Sequence, residues 1–133
     1  MRSNVELAKR SYEAFSRGDM DAYVDCFSED TEWYVSAMLT GRVRYSGQAG
    51  VREFIRDVEK LGEEHGERFA ADITEFSEVA EDRVLGLGVS RIEREQEPLE
   101  FDTGVVYTFA DGKIVRLDAF TSHDEARQAA GLS

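Results

Sequence analysis

The chain has 133 residues, of which 41% are hydrophobic and 33% are charged, proportions typical of a soluble globular protein. Its formal net charge of −12 opposes binding to nucleic acid and to anionic membrane surfaces, and no apolar run approaches the ~20 residues that span a bilayer. We therefore expect no nucleic-acid partner and no membrane partner, and the length predicts one domain over residues 1–133.

Cysteine and histidine are too sparse to suggest a metal or redox centre. Cys26 is the single cysteine, so an internal disulfide is impossible, and its apolar neighbourhood is typical of a buried thiol. His65 and His123 are far apart in the sequence, whereas a metal site needs several ligands close together. We therefore expect no metal and no cofactor. The single cysteine and the lack of an apolar leader favour the cytoplasm.

Three amphipathic helices are predicted in the first half of the chain. Ser3 and Glu6 have the spacing of a capping box, and apolar residues then recur at helical spacing until Gly18. Asp19 can cap a short second helix because its carboxylate can accept from a free amide of the first turn. A third helix is predicted over Gln48–Leu61, where the apolar side chains again fall on one face.

The segments around and after these helices have the pattern of strands and loops. A β-rich run over Thr31–Ser36 predicts the first strand, and the glycine-punctuated segment Ala37–Gly47 predicts a loop. The charged segment Gly62–Arg68 predicts a mobile connection. Alternation over Phe69–Val79 and Arg83–Arg94 predicts two further strands.

The stretch Leu99–Thr121 predicts a long hairpin. Asp111 and Gly112 separate two alternating runs, and an Asp-Gly pair is a strong hairpin signal because the turn requires positive φ. Alternation in the first strand predicts one shared face for Phe101, Thr103, Val105, Tyr107 and Phe109. In the second strand it predicts one face with Ile114, Arg116, Asp118 and Phe120, and the opposite face with Val115, Leu117, Ala119 and Thr121. A last helix follows, capped by Ser122 or Asp124 and stopped by Gly131.

Three groups of residues carry a resemblance to a known family. The first is Tyr12–Asp19 with Phe27 and Asp30, and the second is Tyr45–Gly47. The third is Phe109–Ile114 followed by Glu125-Ala126 and Ala130–Leu132. In this order and spacing they resemble the SnoaL-like group of the nuclear transport factor 2-like fold, over nearly the whole chain.

The resemblance implies an α+β fold in which three N-terminal helices cover a cone-shaped, curved antiparallel sheet, with a short C-terminal helix. In this family the concave face commonly holds a small apolar molecule and the convex face often pairs with a second subunit. The activities range from ketosteroid isomerase, limonene epoxide hydrolase and polyketide cyclase to binding domains without catalysis, so the fold does not settle the function.

The carboxylates of the catalytic members are not matched in this sequence. By the resemblance, Val35 and Val105 stand where ketosteroid isomerase has its two aspartates, and Ala119 stands where the hydrolase and the cyclase have one. Valine and alanine neither accept nor donate a proton. Asp118 is one position from Ala119 and is predicted to point to the convex face, since a strand alternates. A register shifted by one would make Asp118 the catalytic candidate, and Tyr107 is a second weak candidate.

The predicted pocket is an apolar chamber with a few hydroxyl groups and two amphipathic rings, typical of a small-molecule site. Two strand glycines, Gly86 and Gly88, favour open space over a filled core. The predicted pocket residues are Trp33, Val35, Phe54, Ile55, Val58, Gly88, Ser90, Phe101, Thr103, Val105, Tyr107, Leu117, Ala119 and Thr121. The alternative is that these side chains fill the chamber.

The convex face carries an apolar strip that a lone monomer would leave in contact with water. We therefore expect a homodimer packed sheet to sheet. Its predicted interface is Leu87, Val89, Val106, Arg116, Asp118 and Phe120. The leading hypothesis is a dimeric domain that binds a small hydrophobic molecule without an assignable reaction. The alternatives are an isomerase, cyclase or hydrolase with a rearranged site, and a purely structural dimerisation module.

Overall fold

A computed structural model describes residues 3–36 and 40–132 of the chain. The helices are α1 (Asn4–Ser16), α2 (Met20–Asp25), α3 (Gly47–His65) and α4 (His123–Ala129). The strands are β1 (Phe27–Tyr34), β2 (Arg44–Ser46), β3 (Arg68–Ala80), β4 (Arg83–Glu93), β5 (Leu99–Ala110) and β6 (Lys113–Phe120). Over the described ranges, none of the helices has both the length and the apolar character needed to cross a membrane.

Local chemistry sets where the helices begin and end. The Ser3 hydroxyl accepts a hydrogen bond from the Glu6 N–H at 3.2 Å, and the Asp19 carboxylate caps α2 in the same way, so both predicted caps are confirmed. The predicted mobile connection from Gly62 is wrong because α3 continues to His65. It ends there because Gly66 adopts a left-handed conformation with φ of 66°.

The six strands form one curved, unclosed sheet in the order β2-β1-β6-β5-β4-β3. Neighbouring strands are antiparallel except β1 and β6, which run parallel. The predicted α+β architecture is therefore confirmed with one parallel pair inside it. Strand β1 begins at Phe27, earlier than predicted, and β2 lies within the predicted loop Ala37–Gly47. Residues 37–39 of that loop lie outside the described residues.

The long hairpin is confirmed, but a bulge shifts its second strand. Asp111 and Gly112 form the turn with φ of 52° and 77°. Thr108 pairs with Arg116, whereas Phe109 pairs with Ile114, so the register shifts between them. Ile114 therefore joins the buried core of the concave face, and the predicted grouping of Ile114 with Arg116 is wrong.

One row of paired residues crosses five strands and forms the floor of the concave face. Each member is at most 5% exposed. In spatial order the row is Val84, Tyr107, Leu117, Trp33 and Tyr45. Helices α1, α2 and α3 close over the concave face, since Ala8, Tyr23 and Phe54 belong to the same buried cluster as this row.

The convex face is partly covered by the chain itself. Leu85, Leu87 and Val106 are buried against Ala126 and Ala130 at the end of the chain. The expectation that this strip would be exposed in a monomer is therefore wrong for these three residues, because α4 and the residues after it cover them. Two of the residues predicted for the dimer interface remain exposed, Val89 and Arg116.

Helix α4 can lie this close to β5 because position 104 has no side chain. A Cβ atom placed on Gly104 would lie 2.3 Å from the Cβ of Ala126, far inside van der Waals contact. The close approach of α4 to the sheet therefore depends on Gly104.

Gly104→Ala is expected to destabilise the protein by about 1–3 kcal/mol because the added methyl group forces α4 away from β5. Urea unfolding measures the change, and circular dichroism checks that the sheet is retained. The double variant with Ala126→Gly removes the facing methyl group and should recover part of the loss, although glycine in a helix costs about 1 kcal/mol. An unchanged stability of Gly104→Ala would contradict this account.

Candidate functional site

A cavity of about 100 Å³ lies between the N-terminal helices and the concave face of the sheet. Its walls are almost entirely apolar and aromatic. The described lining residues include no aspartate, glutamate, histidine, lysine or arginine. A charged ligand would therefore lose its hydration without gaining an ionic partner from these residues.

Most of the predicted pocket residues line this cavity. They are Trp33, Val35, Phe54, Ser90, Phe101, Thr103, Val105, Tyr107, Leu117, Ala119 and Thr121. The sequence analysis did not assign to the pocket the further lining residues Ser11, Tyr12, Phe15, Tyr23, Ser36, Phe69, Ala71, Ile73 and Phe120. The helical members of this set have the correct spacing for an inward face, but spacing alone does not identify what a helix packs against.

Two predicted pocket residues of α3 lie outside the cavity. Phe54 reaches the cavity wall, whereas Ile55 and Val58 line a separate surface groove with Phe69 and Arg68. Ile55 is rotated by about 100° around the helix from Phe54, and Val58 is about one turn further along. Their assignment to the pocket is therefore corrected.

Gly88 is also absent from the cavity wall. A Cβ atom on Gly88 would lie 2.6 Å from the Cα of Ile73 in strand β3, so the missing side chain makes room for that backbone. A Cβ atom on Gly86 would lie 3.2 Å from Ile73 and 3.3 Å from the Tyr107 ring. These two glycines therefore accommodate β3 and its neighbours, and they give no support for a ligand.

Two buried phenols face the cavity. Burial raises the pKa of Tyr23 well above its usual value, and the nearby Tyr107 phenol adds to this effect. Burial likewise raises the pKa of Tyr107, with a smaller contribution from Tyr12. Neither hydroxyl makes a hydrogen bond to another described residue. Both phenols therefore stay protonated at neutral pH and can donate a hydrogen bond, but they are poor proton acceptors.

Four further lining residues carry polar groups that are buried or hydrogen-bonded. The indole N–H of Trp33 is buried without a hydrogen-bond partner. The hydroxyls of Ser90 and Thr103 are hydrogen-bonded to each other. The Ser11 hydroxyl donates to the Ala8 carbonyl at 2.7 Å, so its proton is already used.

The structure does not bring Asp118 to the cavity. Leu117 pairs with Tyr107, and both side chains are on the concave face. The next residue, Asp118, pairs with Val106, and its side chain is therefore on the convex face. Its carboxylate accepts from both Nε and Nη2 of Arg116, at 2.9 and 3.1 Å. Of the two weak catalytic candidates, Tyr107 therefore lies in the cavity and Asp118 lies on the other side of the sheet.

The histidines and carboxylates do not gather elsewhere in the described part of the chain. There, no group of three His, Cys, Asp or Glu side chains is arranged to hold a metal ion. His123 instead contacts the carbonyl oxygen of Gly88 through Nε2 at 2.7 Å, at the start of α4. This contact helps to hold α4 on the sheet.

The raised pKa of Tyr107 predicts a loss of stability in alkali. Above about pH 10, phenols of the unfolded chain lose their protons while Tyr107 of the folded chain keeps its own, so rising pH favours unfolding. Tyr107→Phe should therefore show a smaller drop in unfolding free energy between about pH 9 and pH 11 than the wild type. Urea unfolding at each pH measures this difference, and identical slopes would contradict burial of the phenol.

The fold agrees with comparisons to solved structures. A nuclear transport factor 2-like protein of unknown function from Burkholderia pseudomallei has 22% identity and a TM-score of 0.77, covering 96% of this chain and 97% of that one. TerC, co-crystallised with polyporic acid, has 22% identity and a TM-score of 0.76, covering 96% and 98%. A proposed polyketide cyclase from Pseudomonas putida has 18% identity and a TM-score of 0.68, covering 93% and 95%.

At these identities the structural likeness shows a shared fold and does not transfer an activity. No curated protein matches the sequence. The family model described as a SnoaL-like domain, however, matches residues 8–117. Because this match extends over most of the chain, the protein belongs to the SnoaL-like family.

Proposed function

We propose that this domain binds a compact, neutral and mostly apolar small molecule in the cavity under its N-terminal helices. The observation that carries the proposal is a cavity between the helices and the sheet whose described lining is mostly apolar and uncharged. Unfilled space between apolar side chains costs packing energy, and an apolar guest restores those contacts.

The size of the cavity limits the guest. Pockets for drug-sized molecules measure about 300–1,000 Å³, whereas an engineered cavity of about 150 Å³ binds benzene. At about 100 Å³ this cavity suits a molecule of about one ring. A four-ring steroid would require the aromatic walls to move apart.

Structures with the same fold give general support for this proposal. TerC was co-crystallised with polyporic acid, and several neighbours are proposed polyketide cyclases. These observations support the handling of small molecules by this fold. They do not identify the ligand of this chain.

An isomerase, cyclase or hydrolase with a rearranged site is the alternative from the sequence. Such chemistry needs a proton acceptor within reach of the substrate. The polar side chains among the described lining residues carry only hydroxyls and an indole. The Asp118 carboxylate is paired with Arg116 on the convex face. Binding is therefore the function that the described site supports best. A purely structural module is the other alternative, and a lack of ligand would favour it.

The homodimer and the cytoplasmic location remain predictions. Helix α4 already covers Leu85, Leu87 and Val106, so a dimer would use the uncovered part of the convex face around Val89 and Arg116. Light scattering at micromolar concentration is expected to give twice the chain mass of 15.0 kDa. A monomer mass would contradict the dimer and would leave the cavity proposal unaffected.

Thermal denaturation with a library of neutral one-ring and two-ring compounds tests binding. A ligand at one hundred times its Kd stabilises the folded state by about 2.7 kcal/mol, which raises the Tm of a domain of this size by several degrees. At least one compound of the library is expected to give such a rise.

A matched pair of variants tests whether the ligand-dependent rise in Tm comes from binding in the cavity. Ala119 lines the cavity and Ala110 is exposed at the end of β5. Ala119→Leu adds three carbon atoms to the cavity and should abolish the ligand-dependent rise in Tm, whereas Ala110→Leu should preserve it. Binding at this site is refuted if no compound raises the Tm of the wild type, or if Ala119→Leu responds as the wild type does.

A further inference from the structure

A surface groove of about 540 Å³ lies next to the cavity, between the end of α1, helix α3 and the start of strand β3. The groove and the cavity share four lining residues, Phe15, Phe54, Phe69 and Ala71. The two spaces therefore lie on either side of the same side chains. Three of these are phenylalanines, whose rings can turn about their side-chain bonds, and the fourth is a small alanine. The boundary between cavity and groove is thus one side chain thick.

The walls of the groove are largely apolar and only partly covered. Ile55 and Val58 on α3 line one wall, and Phe69 on β3 lines the opposite one. All three are half-buried, as are Phe15 and Met20 at the end of the groove near α1. Single exposed apolar residues are ordinary on a protein surface, whereas several around one depression are typical of a binding groove.

The apolar strip continues along α3 beyond the groove. Leu61 follows Val58 by three residues and therefore lies on the same side of the helix. With Phe69 and Ile92 it lines a small further depression, and these two residues are paired across β3 and β4. The strip ends at the turn that joins α3 to β3. It therefore leads from the cavity wall to a fixed end.

The dimensions of this strip suit a chain and not a protein surface. From Phe54 to Leu61 the helix advances by about 10 Å, the length of an extended alkyl chain of about eight carbons. Because the strip lies between a helix and a strand, a chain one methylene wide reaches its floor and a broad partner surface does not. The charged residues beside the groove, Glu59 and Arg68, have opposite signs, so they give a charged chain no net preference.

Taken with the proposed binding function, on which this inference rests, the groove defines the shape of the ligand. We propose that the ligand is a neutral ring compound that carries an unbranched alkyl chain. The ring occupies the cavity, and the chain passes between Phe54 and Phe69 into the groove, where it lies along Ile55 and Val58. The chain removes these half-buried side chains from water, a gain that a ring alone does not provide.

A series of alkylbenzenes measures the contribution of the chain. Toluene, ethylbenzene, n-propylbenzene and n-butylbenzene share one ring and grow by one CH2 at each step. Burial of a CH2 lowers Kd by roughly fourfold, whereas a CH2 left in water changes Kd little. tert-Butylbenzene has the same atoms as n-butylbenzene, but its branched group is too wide for a chain-shaped groove. Isothermal titration calorimetry of the whole protein gives the Kd of each compound.

A groove variant and a control with the same substitution locate the chain. Val58→Trp fills the groove and leaves every residue of the cavity wall unchanged. Val43→Trp makes the same change at a residue that is 55% exposed and lines neither the cavity nor the groove. Thermal unfolding verifies that each variant is folded. Ile55→Trp, on the same wall of the groove, takes the place of Val58→Trp if that variant does not fold.

In the wild type, n-butylbenzene is expected to bind at least about tenfold more tightly than toluene and than tert-butylbenzene. In Val58→Trp the Kd of toluene should stay within about twofold of the wild-type value, and the advantage of n-butylbenzene over toluene should fall below about threefold. Val43→Trp should keep the wild-type order and spacing of all five compounds.

Three results would overturn the ligand shape. If toluene binds and the unbranched chain adds no affinity, or if the advantage of n-butylbenzene persists in Val58→Trp, the groove is not used, and binding in the cavity still stands. If a library compound raises the Tm and no alkylbenzene binds, the ligand has another chemistry. If no alkylbenzene binds and no library compound raises the Tm, the binding function fails as well.

Discussion

The burial of one cross-strand row under three helices is the constraint on which this structure depends. Val84, Tyr107, Leu117, Trp33 and Tyr45 each come from a different strand, and each is almost completely removed from water. Apolar burial of this kind is the main favourable contribution to folding, so the register that aligns the row is strongly fixed. Along the regular parts of the strands, alternation then decides which side chains face the cavity, whereas the bulge before Arg116 and the end of β6 depart from it.

The same alternation separates the charges of the molecule from its cavity. The chain has 28 acidic and 16 basic residues, yet the described cavity wall contains none of them. Asp118 illustrates the effect, because it follows Leu117 directly and is therefore turned to the opposite face, where Arg116 binds it. A chain with an acidic surface thus has a cavity whose described lining is uncharged and whose polar side chains carry phenols, hydroxyls and an indole.

Features set by neighbouring residues could be predicted from the sequence. The caps at Ser3 and Asp19 and the turn at Asp111 and Gly112 each depend on a few adjacent atoms, and each is confirmed. The alternation of β5 also placed Tyr107 on the concave side, where the structure has it. In these segments the local preference and the final fold agree.

Features set by distant contacts could not be predicted. The bulge that turns Ile114 inward, and the approach of the β3 backbone to Gly88, are properties of paired strands and leave no local pattern. Tyr23 was missed as a cavity residue because its helix alone does not reveal what it covers. The cover that α4 gives to the convex face depends on the contact between Gly104 and Ala126, which are on separate elements.

The parallel pair β1–β6 has a consequence for how the chain reaches this structure. It joins the first strand in sequence to the last, so it closes the longest loop between paired strands, whereas the antiparallel hairpins of β3 to β6 close short ones. Chain entropy makes such distant pairing slow, and topologies rich in it have a high contact order. The cavity wall that includes Trp33 and Leu117 is complete only when β1 is paired with β6, so the site requires the one strand pairing that closes the longest loop.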